Sequence, residues 1–379
     1  MKVLFISHNA SRTGAPLYLL SLCRYLKQNT DWELFFLLRA SGPLLNDFKA
    51  LGTTFLFDRS LNFISARLAN KIKIGGFNCN HWFLKQKIKR LHVDVIYSNT
   101  SANGSILKFL QDLNMKVVTH MHELAYVVKS LGEENLELVK EHTNHYITSS
   151  PSVTKYLTQT LKVNPAIVKE TKCFPLHINS KEFNRVAVKA ELSIPTDSFI
   201  IGSAGTVEWR KGWDLFIRLA EQLKKSAAAE NFYLVWVGNL NAKARAEVEM
   251  ELKLSGVEAK VIFTGATPTP EKYFSIFDVF CLMSREEAFG IVALEAALYQ
   301  IPIVCFEGAE GLSTFIKNDA GYVIPDLDTS EMAKAIVELS NSLEKKNGMG
   351  RTASKRVLDE YSVSNQVEKI VHLLEELVS

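Results

Sequence analysis

A chain of 379 residues, 47% hydrophobic and 22% charged, is globular and long enough for two domains. A formal net charge of +3 is too small to argue for a nucleic-acid partner, and no stretch approaches the roughly 20 apolar residues of a membrane span. Cys23, Cys79, Cys173, Cys281 and Cys305 are odd in number and lack a C-x-x-C pair, so buried reduced thiols of a cytoplasmic protein are expected rather than disulfides or a zinc site.

The N-terminal run MKVLFISHN has one lysine and a short apolar core, which makes it a first strand and not a signal peptide. The following loop places Gly14 just before an apolar helical pattern at Leu17, Leu20, Leu22 and Leu26. A glycine there lets the backbone turn tightly and approach a ligand, and is also an ordinary way to start a helix. Without a G-x-G-x-x-G at this junction, an NAD-type dinucleotide fold loses its main support. Further short apolar runs, ELFFLL, TTFLF, VDVIYS, KVVTH and HYITS, alternate with helical patterns, as in an α/β architecture with buried parallel strands.

Within this half, the segment 67–90 carries Arg67, Lys71, Lys73, Lys85, Lys87, Lys89 and Arg90 with no acid, and Trp82, Phe83, Leu84 and Ile88 interleave. Basic plus aromatic composition suits peripheral contact with anionic headgroups on the inner face of a membrane, or with a phosphate-bearing lipid-linked acceptor; a solvated helix face is the alternative. THMHEL, after the KVV strand, holds His120 and His122 but no further ligand at metal-binding spacing, so structural histidines are the plain reading.

A weakly periodic stretch around Ser180 to Asp197 marks a boundary, giving domains over 1–180 and 181–361. The second series of strands runs FIIGSAG, YLVWVG, KVIFTG, DVFCLM and IPIVCF. Two doubly wound Rossmann-like domains facing each other across a ligand cleft follow, with ligand outside the carboxyl ends of the strands. After FIIGSAG, Arg210 and Lys211 stand at the entrance of a helix with Trp213, Phe216, Leu219, Ala220 and Leu223 inward. A guanidinium fork beside an ammonium suits a diphosphate leaving group; a solvated basic pair is the bland alternative.

The span Ser284 to Gln300, SREEAFGIVALEAALYQ, places Glu287 in a loop and Glu295 in the helix that follows, with seven residues between them. Positions eight apart are separated by up to about 12 Å along a helix axis, which suits two ends of an extended ligand rather than one acid/base pair. Between them, the backbone N–H groups of Ala288, Phe289, Gly290, Ile291 and Val292 open a helix whose positive end attracts phosphate. The alternative is that Glu286 and Glu287 only stabilise the helix dipole and Glu295 is a solvated helix residue. Asp326-Leu327-Asp328 has the form of a metal-binding D-x-D, but Asp328 with Glu331 has capping-box spacing before a helix, so neither metal nor other cofactor is expected. Val367, Ile370, Val371, Leu374 and Val378 give a last helix over about 362–379, capped by Ser362 or Ser364.

The Glu287-x7-Glu295 spacing, its Phe289-Gly290 step and the following strand IPIVCFEGAEG resemble the donor site of retaining glycosyltransferases of the GT-B fold, the group 1 or GT4-like family. The resemblance covers most of the chain and is closest from Phe199 to Asp328. It implies metal-independent, retaining transfer of a hexose from a nucleotide diphosphate sugar to a glycan or lipid-linked acceptor in polysaccharide or glycoconjugate biosynthesis. It assigns sugar hydroxyls to Glu287, ribose to Glu295, phosphate or sugar to the backbone of Phe289 to Val292, and the diphosphate to Lys211. The family's Gly-Arg step is absent, with Thr206 at the Arg position, and Arg210 is expected to supply that charge beside Lys211-Gly212. A strand-end His followed by an acid aligns with His122 and Glu123, which implies that His122 contacts the transferred sugar. Gly14 falls in a loop that faces donor phosphates or acceptor in such proteins, and the terminal helix is expected to return to the first domain. A nucleotide-sugar epimerase on the same fold and a catalytically silent sugar-nucleotide binder remain as alternatives.

Overall fold

The computed structural model describes residues 1–58, 79–176, 182–225 and 231–378. These form two units, one of Met1–Lys172 with Val363–Ser379 and one of Cys173–Ser362. The change-over expected at 180–181 falls outside the described residues.

The first unit is a parallel sheet of β1 (Lys2–Ser7), β2 (Glu33–Leu38), β3 (Thr53–Leu56), β4 (Val95–Asn99), β5 (Lys116–Met121), β6 (His145–Thr148) and β7 (Val168–Glu170), in the order β3-β2-β1-β4-β5-β6-β7. Its register brings Ser7 beside Asn99 and Asn99 beside His120, so the carboxyl ends of β1, β4 and β5 lie level. β1 and β4 are neighbours although the connections from β1 and to β4 wind in opposite directions, which opens a crevice at their carboxyl ends.

The second unit repeats the plan with β8 (Phe199–Ala204), β9 (Phe232–Val237), β10 (Val261–Gly265), β11 (Val279–Leu282), β12 (Ile303–Phe306) and β13 (Gly321–Ile324), ordered β10-β9-β8-β11-β12-β13, and all pairs are parallel. Successive residues of a strand point to opposite faces. Ile200 and Phe280 accordingly enter one core with Ile303 and Cys305, while Ile201, Val279 and Cys281 enter the other with Val304 and Phe306. Both faces are covered, which is why the strands read as continuous apolar runs. Here the reversal of winding falls between β8 and β11.

Two strands carried no sequence signal. β7 is VKE with largely exposed residues and β13 is GYVI; both are edge strands too short for periodicity to register. Helix Trp213–Lys224 buries Leu215, Phe216, Ile217, Leu219, Ala220 and Leu223, whereas Trp213 at its start is only half-buried. Helix Val363–Val378 packs on helix Gly14–Asn29, with Tyr25 Oη donating to Glu368 at 3.3 Å. Its buried face is Gln366, Val367, Ile370, Leu373 and Leu374, so Val371 and Val378 lie off the stripe expected of them. Gln366 is polar yet buried, because its carbonyl oxygen accepts from the Lys172 backbone N–H at 3.0 Å.

Cys23, Cys173, Cys281 and Cys305 are buried, and Cys23, Cys281 and Cys305 are free thiols. Asp328 caps helix Thr329–Asn341, its Oδ1 accepting from Ser330 N and Glu331 N at 2.9 Å each. Glu331 turns to Lys334 at 2.5 Å, so only the first half of a capping box forms. Asp326 accepts from Gly308 N at 2.6 Å. Among the described residues, no group of three or more His, Cys, Asp or Glu side chains is placed to hold a metal ion.

Candidate functional site: the strand ends of each unit

In the second unit, two loops leave the carboxyl ends of β8 and β11 and lock together. Gly212 closes the first at φ 74, and a Cβ there would lie 2.0 Å from the Met283 carbonyl oxygen in the second. Glycine is required on both counts. Arg285 crosses back, its backbone N–H donating to Arg210 O at 2.8 Å and its guanidinium gripping Asp214 through bonds of 2.8 and 2.6 Å. The same guanidinium lies 4.6 Å from the ring centroid of Trp209. This bracing holds the 3-10 turn Trp209–Lys211 in place; neither Arg285 nor Asp214 carried a sequence signal.

That bracing brings Lys211, Arg210 and Glu287 together. Lys211 Nζ pairs directly with Glu287 Oε2, and Ser284 Oγ donates to the same oxygen at 3.0 Å. Arg210 Nη1 lies 3.7 Å from it while donating to Glu286 O at 2.9 Å, and Arg210 Nη2 reaches Glu208 at 3.1 Å. Lys211 and Glu287 side chains retain only 18% and 11% exposure. Burial by itself would raise the Glu287 carboxyl, but the Lys211 and Arg210 charges and the bonds from Lys211 and Ser284 outweigh it and hold its pKa below the ordinary value. Glu287 is therefore an anion braced by two cations, not a general acid held protonated.

Gly290, at φ 86, turns the chain into helix Ile291–Leu298, which starts without a side-chain cap. Ala293 N–H donates to Gly290 O at 2.8 Å, and the N–H groups ahead of it have no acceptor one turn back in the helix, the arrangement by which helix N-termini attract anions. Phe289 contributes only backbone to such a site, because its ring is 3% exposed and packs 5.5 Å from that of Tyr361. Glu295 is 7% exposed, which removes the reading of a solvated helix residue.

In the first unit the level ends of β1, β4 and β5 carry a dense polar cluster. His122 Nε2 meets Asn99 Oδ1 at 2.9 Å, its ring centroid lies 4.0 Å from that of His120, and Tyr18 stands edge-on at 4.9 Å. Glu123 does not face outward as a free acid. It takes bonds from Thr100 Oγ1, from Ser101 N and Oγ at 3.1 and 3.0 Å, and from His122 N at 3.1 Å. Thr100 sits at φ 121, a region that non-glycine residues seldom occupy, and the Glu123 bonds hold it there. Burial lowers the His122 pKa to about 4, with Glu123 pulling upward and His8 reinforcing the fall. Burial likewise pushes the His120 pKa well below its ordinary value, and its Nδ1 bonds the Tyr97 hydroxyl. His8, likewise lowered by burial and facing Glu123 and Arg39, was not singled out by sequence; its position directly after β1 was the only available signal.

Gly14 differs from the expectation set for it. It is the first residue of its helix, it lacks a positive φ, and nothing lies within 4 Å of where a Cβ would be. Neither a tight turn nor close packing explains a glycine here.

Of the basic segment 67–90, Arg67, Lys71 and Lys73 lie outside the described residues. In helix Cys79–Lys89, Trp82 and Phe83 are 45% and 59% exposed, and Lys87 and Lys89 are exposed. Lys85 instead pairs with Asp112 at 2.7 Å, and Ile88 is buried in the core, so neither belongs to an outward basic or aromatic face. No described helix is long and apolar enough to cross a membrane.

Comparison with known proteins gives this geometry a context. Residues 184–356 match the family described as glycosyl transferases group 1. Poly(ribitol-phosphate) alpha-N-acetylglucosaminyltransferase of Staphylococcus aureus (strain COL) is 29% identical over 175 residues, covering 46% of this chain and 35% of that protein. O-antigen chain mannosyltransferase C of Escherichia coli is 26% identical over 246 residues, 63% of this chain and 60% of that one. The chain thus spans about a third and about three fifths of the lengths of these two relatives. Among solved structures, Anabaena Alr3699/HepE in complex with UDP and glucose has a TM-score of 0.83 at 17% identity, covering 99% of each chain. Sucrose-phosphate synthase from Thermosynechococcus elongatus has a TM-score of 0.80 at 19% identity over 99% of this chain and 98% of that one. These likenesses show the fold to be GT-B.

Proposed function

Since residues 184–356 match the group 1 glycosyltransferases, we propose that this chain transfers a hexose from a nucleotide diphosphate sugar to a glycan or lipid-linked acceptor in polysaccharide or glycoconjugate biosynthesis. The observation that carries the reading is the convergence of Lys211, Arg210 and Glu287 at the crevice where β8 and β11 part. Ligands of open α/β sheets bind at such points. A nucleotide-sugar donor is also what the neighbouring Anabaena structure holds, as UDP-glucose.

In this reading the donor diphosphate displaces Glu287 from Lys211 and Arg210, and the released carboxylate turns to the hydroxyls of the sugar. The cations stabilise charge that grows on the leaving phosphate as the glycosidic C–O bond breaks. The backbone of Ala288 to Val292 contributes N–H donors and Glu295 accepts from the ribose; the family resemblance assigns a sugar contact to His122. No described residue is an evident covalent nucleophile, so in this reading the acceptor hydroxyl attacks the anomeric carbon on the face the phosphate leaves. Its proton passes to that phosphate, configuration is retained, and the step needs no metal. The exposed Trp82, Phe83, Lys87 and Lys89 add a peripheral contact with the inner face of the cytoplasmic membrane, where a lipid-linked acceptor would lie.

Incubation with a panel of nucleotide sugars, with and without acceptor, tests the assignment. Transfer releases nucleoside diphosphate only when acceptor is present. Sugar interconversion without acceptor would identify an epimerase, and binding without turnover a silent receptor. Co-sedimentation with anionic and neutral liposomes tests the membrane contact, which fails if neither is bound.

A further inference from the structure

Asn99 is the last residue of β4, fully buried, and its side-chain amide makes two bonds whose directions are chemically fixed. Its Nδ2 donates to the Ala15 carbonyl oxygen at 2.8 Å, at the start of helix Gly14–Asn29. A carbonyl oxygen only accepts, so the amide nitrogen must face Ala15 and the amide oxygen must face His122. That oxygen lies 2.9 Å from His122 Nε2 and also only accepts. Nε2 must therefore carry the ring hydrogen.

We propose that Asn99 is a positioning residue that locks His122 in the Nε2–H tautomer, leaving Nδ1 as a bare acceptor that selects a hydroxyl-bearing ligand over a phosphate. A neutral imidazole has one N–H, and here Asn99 consumes it. What remains can receive a hydrogen bond from an alcohol but cannot donate one to a phosphate oxygen. The backbone of His122 is tied by its N–H to Glu123, and the ring is flanked by His120 and Tyr18, so the choice of tautomer is also a choice of direction. The charged and titratable groups around it are His8 after β1, Arg39 after β2, His120 and Glu123. Burial keeps the ring neutral well below pH 7, which preserves the acceptor. The tautomer assignment stands on unit 1 alone; that the alcohol is a sugar hydroxyl rests on the proposed transfer activity.

Nitrogen NMR of the full-length protein labelled at histidine nitrogens, with His122 identified by its loss in His122→Asn, reads the tautomer directly and needs no substrate. The wild type is expected to show a protonated Nε2 and an unprotonated Nδ1 at neutral pH. In Asn99→Ala the two tautomers should mix and transfer should fall by about tenfold, the scale of one lost hydrogen bond. Asn99→Asp places a carboxylate at Nε2 and should raise the His122 pKa by about one to three units. A proton on Nδ1 in the wild type, or an unchanged pure Nε2–H tautomer in Asn99→Ala, overturns the proposal. Absence of transfer by the wild type would instead count against the glycosyltransferase reading and leave the tautomer result standing.

Discussion

Glu287 is the residue on which the proposed donor site turns, because it pairs with both Lys211 and Arg210. Replacing it by glutamine leaves Lys211 without its carboxylate and Arg210 with Glu208 alone, in a site where their side chains are only 18% and 17% exposed. The cost should be on the order of 2 kcal/mol, between that of an exposed pair and a fully buried one. Urea denaturation of Glu287→Gln should show that loss, and transfer should be lost with it; full activity would remove Glu287 from the sugar site. Acid dependence follows from the same residues. His122 titrates near 4 in the fold against 6.5 in the unfolded chain, so between those values the unfolded state takes up the extra proton and stability falls as pH drops. Glu287, depressed below 4.5, contributes stability above that value and loses it as pH falls through its folded pKa. Denaturation between about pH 7 and about pH 5 should therefore show a decline, to which the lowered His120 and His8 also contribute and which His122→Ala makes shallower. Glu287 and Lys211 were legible because a spacing and a Lys-Gly step mark them. Asn99, Ser284 and Asp214 were not, since what they do depends on loops that meet only after the sheet has formed.

At the level of elements, two glycines separate fold from function. Gly212→Ala puts a Cβ against the Met283 carbonyl at a left-handed φ, so it should cost about 2 kcal/mol or more and loosen the Arg210–Lys211 turn. Gly14→Ala meets open space in a helical backbone, so thermal stability should hold or rise slightly. If Gly14 leaves room for a ligand, the alanine variant should keep its melting temperature and lose ligand affinity; unchanged affinity would return Gly14 to ordinary loop chemistry. The strands were readable because both faces of each sheet are covered, which turns a strand into an unbroken apolar run. β7 escaped because it is three residues long and largely exposed, and β13 because Gly321 leaves it a run of only three apolar residues. The Asp328 cap was readable from its spacing, but the reciprocal half was not, because Lys334 competes for Glu331.

For the molecule as a whole, one topology appears twice, and the reversal of winding in each sheet gathers polar residues at strand ends. Two series of apolar runs made that plan legible. The return of helix Val363–Val378 to the first unit was expected from resemblance alone, since an amphipathic stripe shows that a helix is covered and not by what. In the proposed function Lys211 and Arg210 hold the diphosphate of a nucleotide sugar. Calorimetric titration of the wild type and Lys211→Ala with a set of nucleoside diphosphates, UDP first among them, tests it most directly. The wild type should bind one of them, and Lys211→Ala should bind it at least about tenfold more weakly, a loss of about 1.4 kcal/mol. Equal affinity in the two proteins would contradict the account.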